Sequence, residues 1–335
     1  MDSLGIVSRQ CLRNVLVWIL LNVFLAGKSL DNTGYSWDEW WSYDGISGSD
    51  FWGSYNPDWE LCSKGQFQSP VDIDPAKLLF QPNLPLLNID QHKISGNFTN
   101  TGHGLAFSVI NSTDEAVNVT FRTSDNLGYV YRLHEIHIHW GSSEHKGSEH
   151  KIHGQAFPGE VQLFTYNSVI YHNFSHAQTQ PHGLLAISVF LQIGDKSNTE
   201  LAHLLSKVES VRFRDQSIVI QQLSVKNLLP QTQAYVTYPG SLTRPGCQET
   251  VQWVVMNKPI YITKQQLNTL RQTRKGDGPK AAGPLMENNF RAVRKMGEHR
   301  IFRTNIDLSH TKNKVQSCPS MYSNFEYQAK KWSIV

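Results

Sequence analysis

Residues 131–167 read YRLHEIHIHWGSSEHKGSEHKIHGQAFPGEVQLFTYN, and two features of that stretch decide how the chain is read. The first is His137-Ile138-His139-Trp140. On a strand successive side chains alternate faces, so residues two apart point the same way. An H-x-H pair on a strand therefore aims two imidazoles at one spot, about 7 Å apart along the backbone. The second feature is the alternating run Glu160-Val161-Gln162-Leu163-Phe164-Thr165-Tyr166, in which Glu160, Gln162 and Phe164 share a face. A catalytic zinc takes three protein ligands and keeps a fourth position for water. The natural third ligand would come from a neighbouring strand of matching parity, and that face of 160–166 offers neither His nor Cys.

The run HIHWGSSEHKGSEH, followed by a strand ending in Tyr166-Asn167, closely resembles the α-class carbonic anhydrases. Phe51-Trp52-Gly53 resembles that family's opening motif, and Gln66-Phe67-Gln68-Ser69-Pro70-Val71-Asp72-Ile73 its QSPVDI segment. The match gives His137 and His139 the places of two zinc ligands and Gln162 the place of the third histidine. A scaffold with an incomplete ligand set is similar to the carbonic-anhydrase-related proteins, the family's acatalytic branch. The GSEH–GQAF–GEVQL run and the tail cysteine of Ser317-Cys318-Pro319 resemble its secreted members, which are associated with neurexin-type synaptic receptors. The resemblance covers about 52–306. It implies one β-rich α+β domain on a large twisted, mainly antiparallel sheet, with peripheral helices and the site in a central cone. It also implies a non-catalytic protein that binds a neurexin-like cell-surface protein. The alternative is a residual zinc-dependent carbonate dehydratase with a His2Gln site.

The resemblance extends to the surroundings of the histidines. Glu135 stands where the family has a glutamine hydrogen-bonded to the first ligand, and a carboxylate beside His137 favours an imidazolium that cannot bind metal. Glu160 matches the partner of the missing histidine. Gln162 offers only a neutral, weakly donating amide oxygen, so no cofactor is expected, with zinc absent or weakly bound. The plain alternative for His137 and His139 is a pair of metal-free interior histidines. Thr243 and Glu149 match the pair that orients a zinc-bound hydroxide, and His103 matches the proton shuttle, although a surface histidine in a turn explains it as well. Leu242 and Trp253 keep the carbon dioxide pocket, whereas Phe164 is bulkier and Ala186 smaller than expected there. Arg244 replaces a small residue and stands to obstruct the cone.

The rest of the chain sets the address. At 335 residues, 39% hydrophobic and net charge +3, it can bury a full core, and its charge gives no argument for nucleic acid. Arg9 and Arg13 precede an apolar run over 15–26 broken only by Asn22, which reads as a signal peptide over 1–28, the alternative being an anchor helix. No later run approaches the ~20 apolar residues a span requires. Asn97, Asn111, Asn118 and Asn173 each begin an N-x-S/T glycosylation motif. Together these features predict a secreted, extracellular glycoprotein. Cys11 leaves with the signal, and the three remaining cysteines are an awkward number in an oxidising compartment. The resemblance pairs Cys62 with Cys247 and leaves Cys318 as a candidate for an intermolecular disulfide.

Organisation follows the same order: an arm over 29–50 carrying Trp37, Trp40 and Trp41, the domain over 51–307, and a polar tail over 308–335. The tryptophans are expected to pack on the domain, a carbohydrate-binding patch being the alternative. Alternation and turn residues predict strands over 106–110, 117–122, 129–138, 160–166, 184–193, 218–223, 234–238 and 251–256. Helices are predicted over 198–208 and 264–274. No G-x-S-x-G, P-loop, C-x-x-C or H-E-x-x-H competes with this reading. His145, His150 and His153 offer a surface metal site or, more plainly, one structural and two solvated histidines.

Overall fold

A computed structural model describes residues 40–110, 116–122, 128–295 and 300–306. The signal peptide, Trp37, the Asn111 motif and the tail with Cys318 lie outside the described residues. Fifteen strands are found among the described residues. The first seven are β1 (Asp72–Ile73), β2 (Leu79–Phe80), β3 (Asn88–Ile89), β4 (Lys93–Asn100), β5 (Leu105–Val109), β6 (Asn118–Arg122) and β7 (Gly128–Trp140). Then come β8 (Lys151–Ile152), β9 (Gly159–Asn167), β10 (Leu184–Ile193), β11 (Ser217–Ser224), β12 (Tyr235–Gly240), β13 (Val251–Met256), β14 (Ile260–Ile262) and β15 (Arg303–Thr304).

Thirteen of these strands make one sheet whose main path runs β11-β4-β5-β7-β9-β10-β13-β12-β15-β2. Its ladders are antiparallel except β10–β13, β10–β14 and β15–β2, so the β-rich, mainly antiparallel single-sheet fold is as expected. The centre is buried on both faces. Every residue of β9 is buried, and alternation sends Val161 and Leu163 into one core and Phe164 and Tyr166 into the other. Strand β10, LLAISVFLQI, reads as the near-continuous apolar run that two covered faces require.

Helices cover the face away from the histidines. Thr199–Leu205 starts where Asn198 accepts from the Glu200 and Leu201 N–H groups, and Lys264–Arg271 starts on a capping box between Thr263 and Gln266. Both stop short of the predicted ends, the first passing into a 3₁₀ turn at Val208–Val211. Leu201, Leu204, Leu267 and Leu270 bury these helices against the larger core.

Strand β4 was not among the predicted strands. Its inward positions are Ile94, Gly96, Phe98 and Asn100, so only two of four carry an apolar side chain and the period is thin. Gly96 is required there, because a Cβ would collide with the Phe107 ring and the Ser108 carbonyl on β5. The buried Asn100 amide donates to the carbonyls of Val211, Arg212 and Arg274, closing that end of the sheet.

Arginines from the C-terminal run fasten the QSPVDI segment. Arg291 is fully buried, donates to Gln68 Oε1 and to the carbonyls of Ser69 and Cys62, and lies 5.4 Å over the Trp52 ring. Arg300 donates to the carbonyls of Gln66 and Gln68. Beside them Cys62 and Cys247 form the disulfide that the family resemblance implied, across a separation of 185 residues. Removing it as a Cys62→Ala/Cys247→Ala pair is expected to cost about 2–5 kcal/mol in urea unfolding. A loss below about 1 kcal/mol would mean that the arginine contacts alone hold the segment.

Candidate functional site

The register of β7 against β9 builds the site. His137 lies opposite Gln162 and His139 opposite Glu160, while an irregularity between Leu133 and Glu135 brings Glu135 opposite Phe164. On the other side of β9, Phe164 faces Ala186 and Gln162 faces Ser188 of β10. Glu135, His137, His139, Glu160, Gln162 and Phe164 thus share one face, as the parity of both strands predicts.

Contacts at the floor of the site fix the orientation of the Gln162 amide. Its Nε2 donates to Glu149 Oε2 at 2.8 Å and to Glu160 Oε1 at 2.9 Å. Ionised carboxylates only accept, so the amide nitrogen must face them and its oxygen must face away. That oxygen lies 3.2 Å from His139 Nε2, while His139 Nδ1 is 2.6 Å from the Asn289 carbonyl. An imidazole whose Nδ1 donates to the Asn289 carbonyl keeps its lone pair on Nε2, and that nitrogen faces the Gln162 amide oxygen rather than an open position.

Glu160 is fully buried and accepts from five donors: the N–H groups of Glu149 and His150, His150 Nδ1, the Gln162 amide and the Ser188 hydroxyl. Burial pushes its pKa up, but the charge and hydrogen bond of His150, then His139 and Gln162, bring it down to about 2. His150 Nε2 lies 2.6 Å from the Tyr238 hydroxyl, which continues the chain to Ser69. His150 is thus buried structure, as the plainer of its two readings had it. Thr243 is buried close by in sequence to Leu242, but among the described residues no hydrogen bond joins it to Glu149. The Glu149 oxygens are taken by Gln162 and by the Arg291 N–H.

Above this floor sits an ion pair. Arg244 Nη1 is 2.6 Å from Glu135 Oε1, close enough to pair although its N–H is not aimed at that oxygen. His137 Nε2 lies between the two groups, 3.0 Å from Glu135 Oε2 and 3.3 Å from Arg244 Nη1. Burial raises the Glu135 pKa, yet Arg244 and then His137 outweigh it and hold the carboxyl well below its ordinary range. Phe164 is 2% exposed and packs edge-on against His137 and Trp253, at 5.4 and 5.9 Å between centroids. Its bulk fits because the residue opposite is Ala186. The Arg244 guanidinium lies over the Phe164 and Phe174 rings at 5.4 and 5.6 Å.

Two contributions come from the N-terminal side. The Trp41 ring stacks on His103 at 3.8 Å and 9°. Burial, followed by the charges of Arg214 and Lys275, lowers the His103 pKa to about 4. A proton shuttle is best served by a group titrating near the working pH, and this ring is held far below it. Tyr43 sets its ring edge-on to His139 at 6.3 Å, and burial together with the Glu149 charge raises its pKa, so the phenol stays neutral. Tyr43 and the Asn289 carbonyl were missed in the sequence. The arm's aromatic content was the only signal for the first, and a backbone carbonyl leaves none.

The donor set does not fit zinc. Gln162 is held with its amide nitrogen on two carboxylates, and both histidines have Nε2 engaged. Among the described residues no group of three or more His, Cys, Asp or Glu could hold a metal ion, and no helix is long and apolar enough to cross a membrane. Of the glycosylation motifs, Asn97 and Asn173 are exposed, whereas the Asn118 amide is donated to Asp90.

This fold, with paired histidines on the central strand, is that of the carbonic anhydrases, and sequence comparison agrees. The eukaryotic-type carbonic anhydrase family matches residues 47–305, and the chain belongs to that family. It is 39% identical to carbonic anhydrase-like protein 2 of Caenorhabditis elegans over 291 residues, covering 86% of each chain. It is 30% identical to carbonic anhydrase-like protein 1 of the same organism, covering 79% of this chain and 90% of that one.

Two outcomes are expected. Stability should fall in two stages on acidification. Unfolded His103 takes up its proton below about 6.5 but the folded ring only near 4, so stability is lost across that window. The Glu160 contribution, whole above about 4.5, is lost as the pH falls toward 2. Urea titrations across this range should show both stages, and His103→Gln should shrink the upper one, to which His134, also lowered by burial, contributes as well, while leaving the lower one in place. Arg244→Ala strands the Glu135 carboxylate and should cost about 1–3 kcal/mol, with much of the loss recovered in Arg244→Ala/Glu135→Gln.

Proposed function

We propose that this protein is a secreted, catalytically silent carbonic anhydrase homologue that acts by binding a cell-surface protein. The observation that carries the silence is the orientation of Gln162. Carbon dioxide hydration in this family needs a metal-bound hydroxide, and zinc held by three neutral nitrogens lowers the pKa of its water to about 7. Here the third position is an amide whose nitrogen is fixed on Glu149 and Glu160 and whose oxygen faces His139. The names of the relatives as carbonic anhydrase-like proteins support the same reading.

Secretion rests on the signal-like segment over 1–28, on the glycosylation motifs and on the Cys62–Cys247 disulfide, a bond that persists in oxidising compartments. Exposed Asn97 and Asn173 are the motifs best placed to carry glycans. For the partner, the resemblance to secreted acatalytic members favours a neurexin-like synaptic receptor, with Cys318 as the residue for a covalent link.

The test is zinc content and carbon dioxide hydration on the secreted protein. The expected result is zinc far below one ion per chain and hydration at the uncatalysed rate. Near-stoichiometric zinc with turnover would replace this reading with the residual His2Gln enzyme. A receptor complex resistant to sodium dodecyl sulfate without reductant should disappear in Cys318→Ser, and a covalent complex that survives would remove Cys318 from the proposal.

A further inference from the structure

We infer that Arg244 is the resident cation of this site, and that it excludes a divalent metal independently of the change at Gln162. The inference rests on the reading above that the site is metal-free, and deepens it. Missing one histidine explains weak zinc binding, but it does not explain why the histidine next to solvent is also occupied. His137 Nε2 has Glu135 on one side at 3.0 Å and the Arg244 guanidinium on the other at 3.3 Å. A metal approaching that nitrogen meets a fixed positive charge which has no lone pair to offer.

Four separate parts of the chain position that charge. Glu135 on β7 pairs with it at 2.6 Å, Phe164 on β9 lies under it, and Phe174 from the short helix Phe174–Ala177 lies on another side. Phe174 is itself buried and stacked on His134 at 4.3 Å and 15°. Arg244 follows the Leu242-Thr243 segment, whose two residues are buried. A carboxylate with two aromatic faces is a setting that holds a guanidinium well. The cone face carries three carboxylates, and each has a partner without a metal. Glu160 has five donors, Glu149 has Gln162 and the Arg291 N–H, and Glu135 has Arg244. The positive charge that a metal would bring is already present in the chain.

Two separate obstacles predict that restoring the histidine alone will not restore the metal. The experiment compares the full secreted chain with Gln162→His, with Gln162→His/Arg244→Lys, and with Gln162→His/Arg244→Ser/Glu135→Gln. Zinc per chain is measured after equilibrium dialysis against zinc chloride, and thermal unfolding with and without zinc reports whether each variant is folded. The Glu135→Gln change keeps the last variant from burying an unpaired carboxylate. Unaltered chain, Gln162→His and the lysine variant are expected to stay empty with a Tm that zinc does not move. The triple variant is expected to bind roughly 100-fold more tightly than Gln162→His, the upper range for groups bordering a metal's ligands, and to gain Tm with zinc. Binding as tight as the triple variant's by Gln162→His, or by Gln162→His/Glu135→Gln in which Arg244 remains, would overturn the inference, and so would a folded triple variant that stays empty. Zinc in the unaltered chain would overturn the metal-free reading as well, so the two failures are told apart by which chain takes up the ion.

Discussion

The amide of Gln162, held between the carboxylates of Glu149 and Glu160, is the interaction on which the interior depends. It is fully buried on the strand at the middle of the sheet, where an unsatisfied donor or acceptor costs most. Its nitrogen serves two acids and its oxygen faces His139, whose other nitrogen faces the backbone at Asn289. Asn289 is in turn bonded through its side chain to the N–H of Trp140 and the carbonyl of Ile138. One side chain thus joins β7, β9, the Ser148–His150 turn and the C-terminal run. A network of this kind is worth having only when every member is satisfied. Glutamine satisfies it without a metal.

Charge is the second constraint. Burying Glu135, Glu149 and Glu160 under one face is costly unless each finds positive charge or several donors. The two at the floor are neutralised largely by backbone N–H groups and by neutral or ring donors. Glu135 sits nearer the mouth, where no backbone donor among the described residues reaches it, and takes an arginine instead. Depth therefore decides the chemistry. Deep carboxylates are held by the scaffold, while the one nearer the mouth is paired with a cationic side chain that Phe164 and Phe174 hold in place.

Much of this was legible in the sequence, and its limits are physical. Parity placed His137 with His139 and Gln162 with Phe164, because the side-chain period of a strand is fixed, and the family resemblance put the two sets at one site. The resemblance, which puts Glu135 in the place of the family's glutamine, foretold its contact with His137. Arg244 reads from the sequence as a residue in the cone, and what sequence could not give is the partners it finds there. Arg244 is 109 positions from Glu135, and its direction depends on Phe164 and Phe174 together. Strand β4 went unread because Gly96 and Asn100 occupy positions where an apolar side chain would have signalled it, each for a tertiary reason: a ring on β5 and three carbonyls at the sheet's end.

The aromatic segment before the domain extends the same logic to His103 and His139. Trp41 lies flat on His103 and edge-on to Trp52, and Tyr43 turns its edge to His139. Rings packed in this way stabilise the N-terminal segment by burial, and Trp41 covers one face of the His103 ring. A shuttle must exchange its proton with water near neutral pH, while a ring under a tryptophan and beside Arg214 and Lys275 resists protonation down to about 4. The occupied histidines, Phe164 packed opposite Ala186 and the covered His103 share one character: each side chain is satisfied by neighbours within the chain.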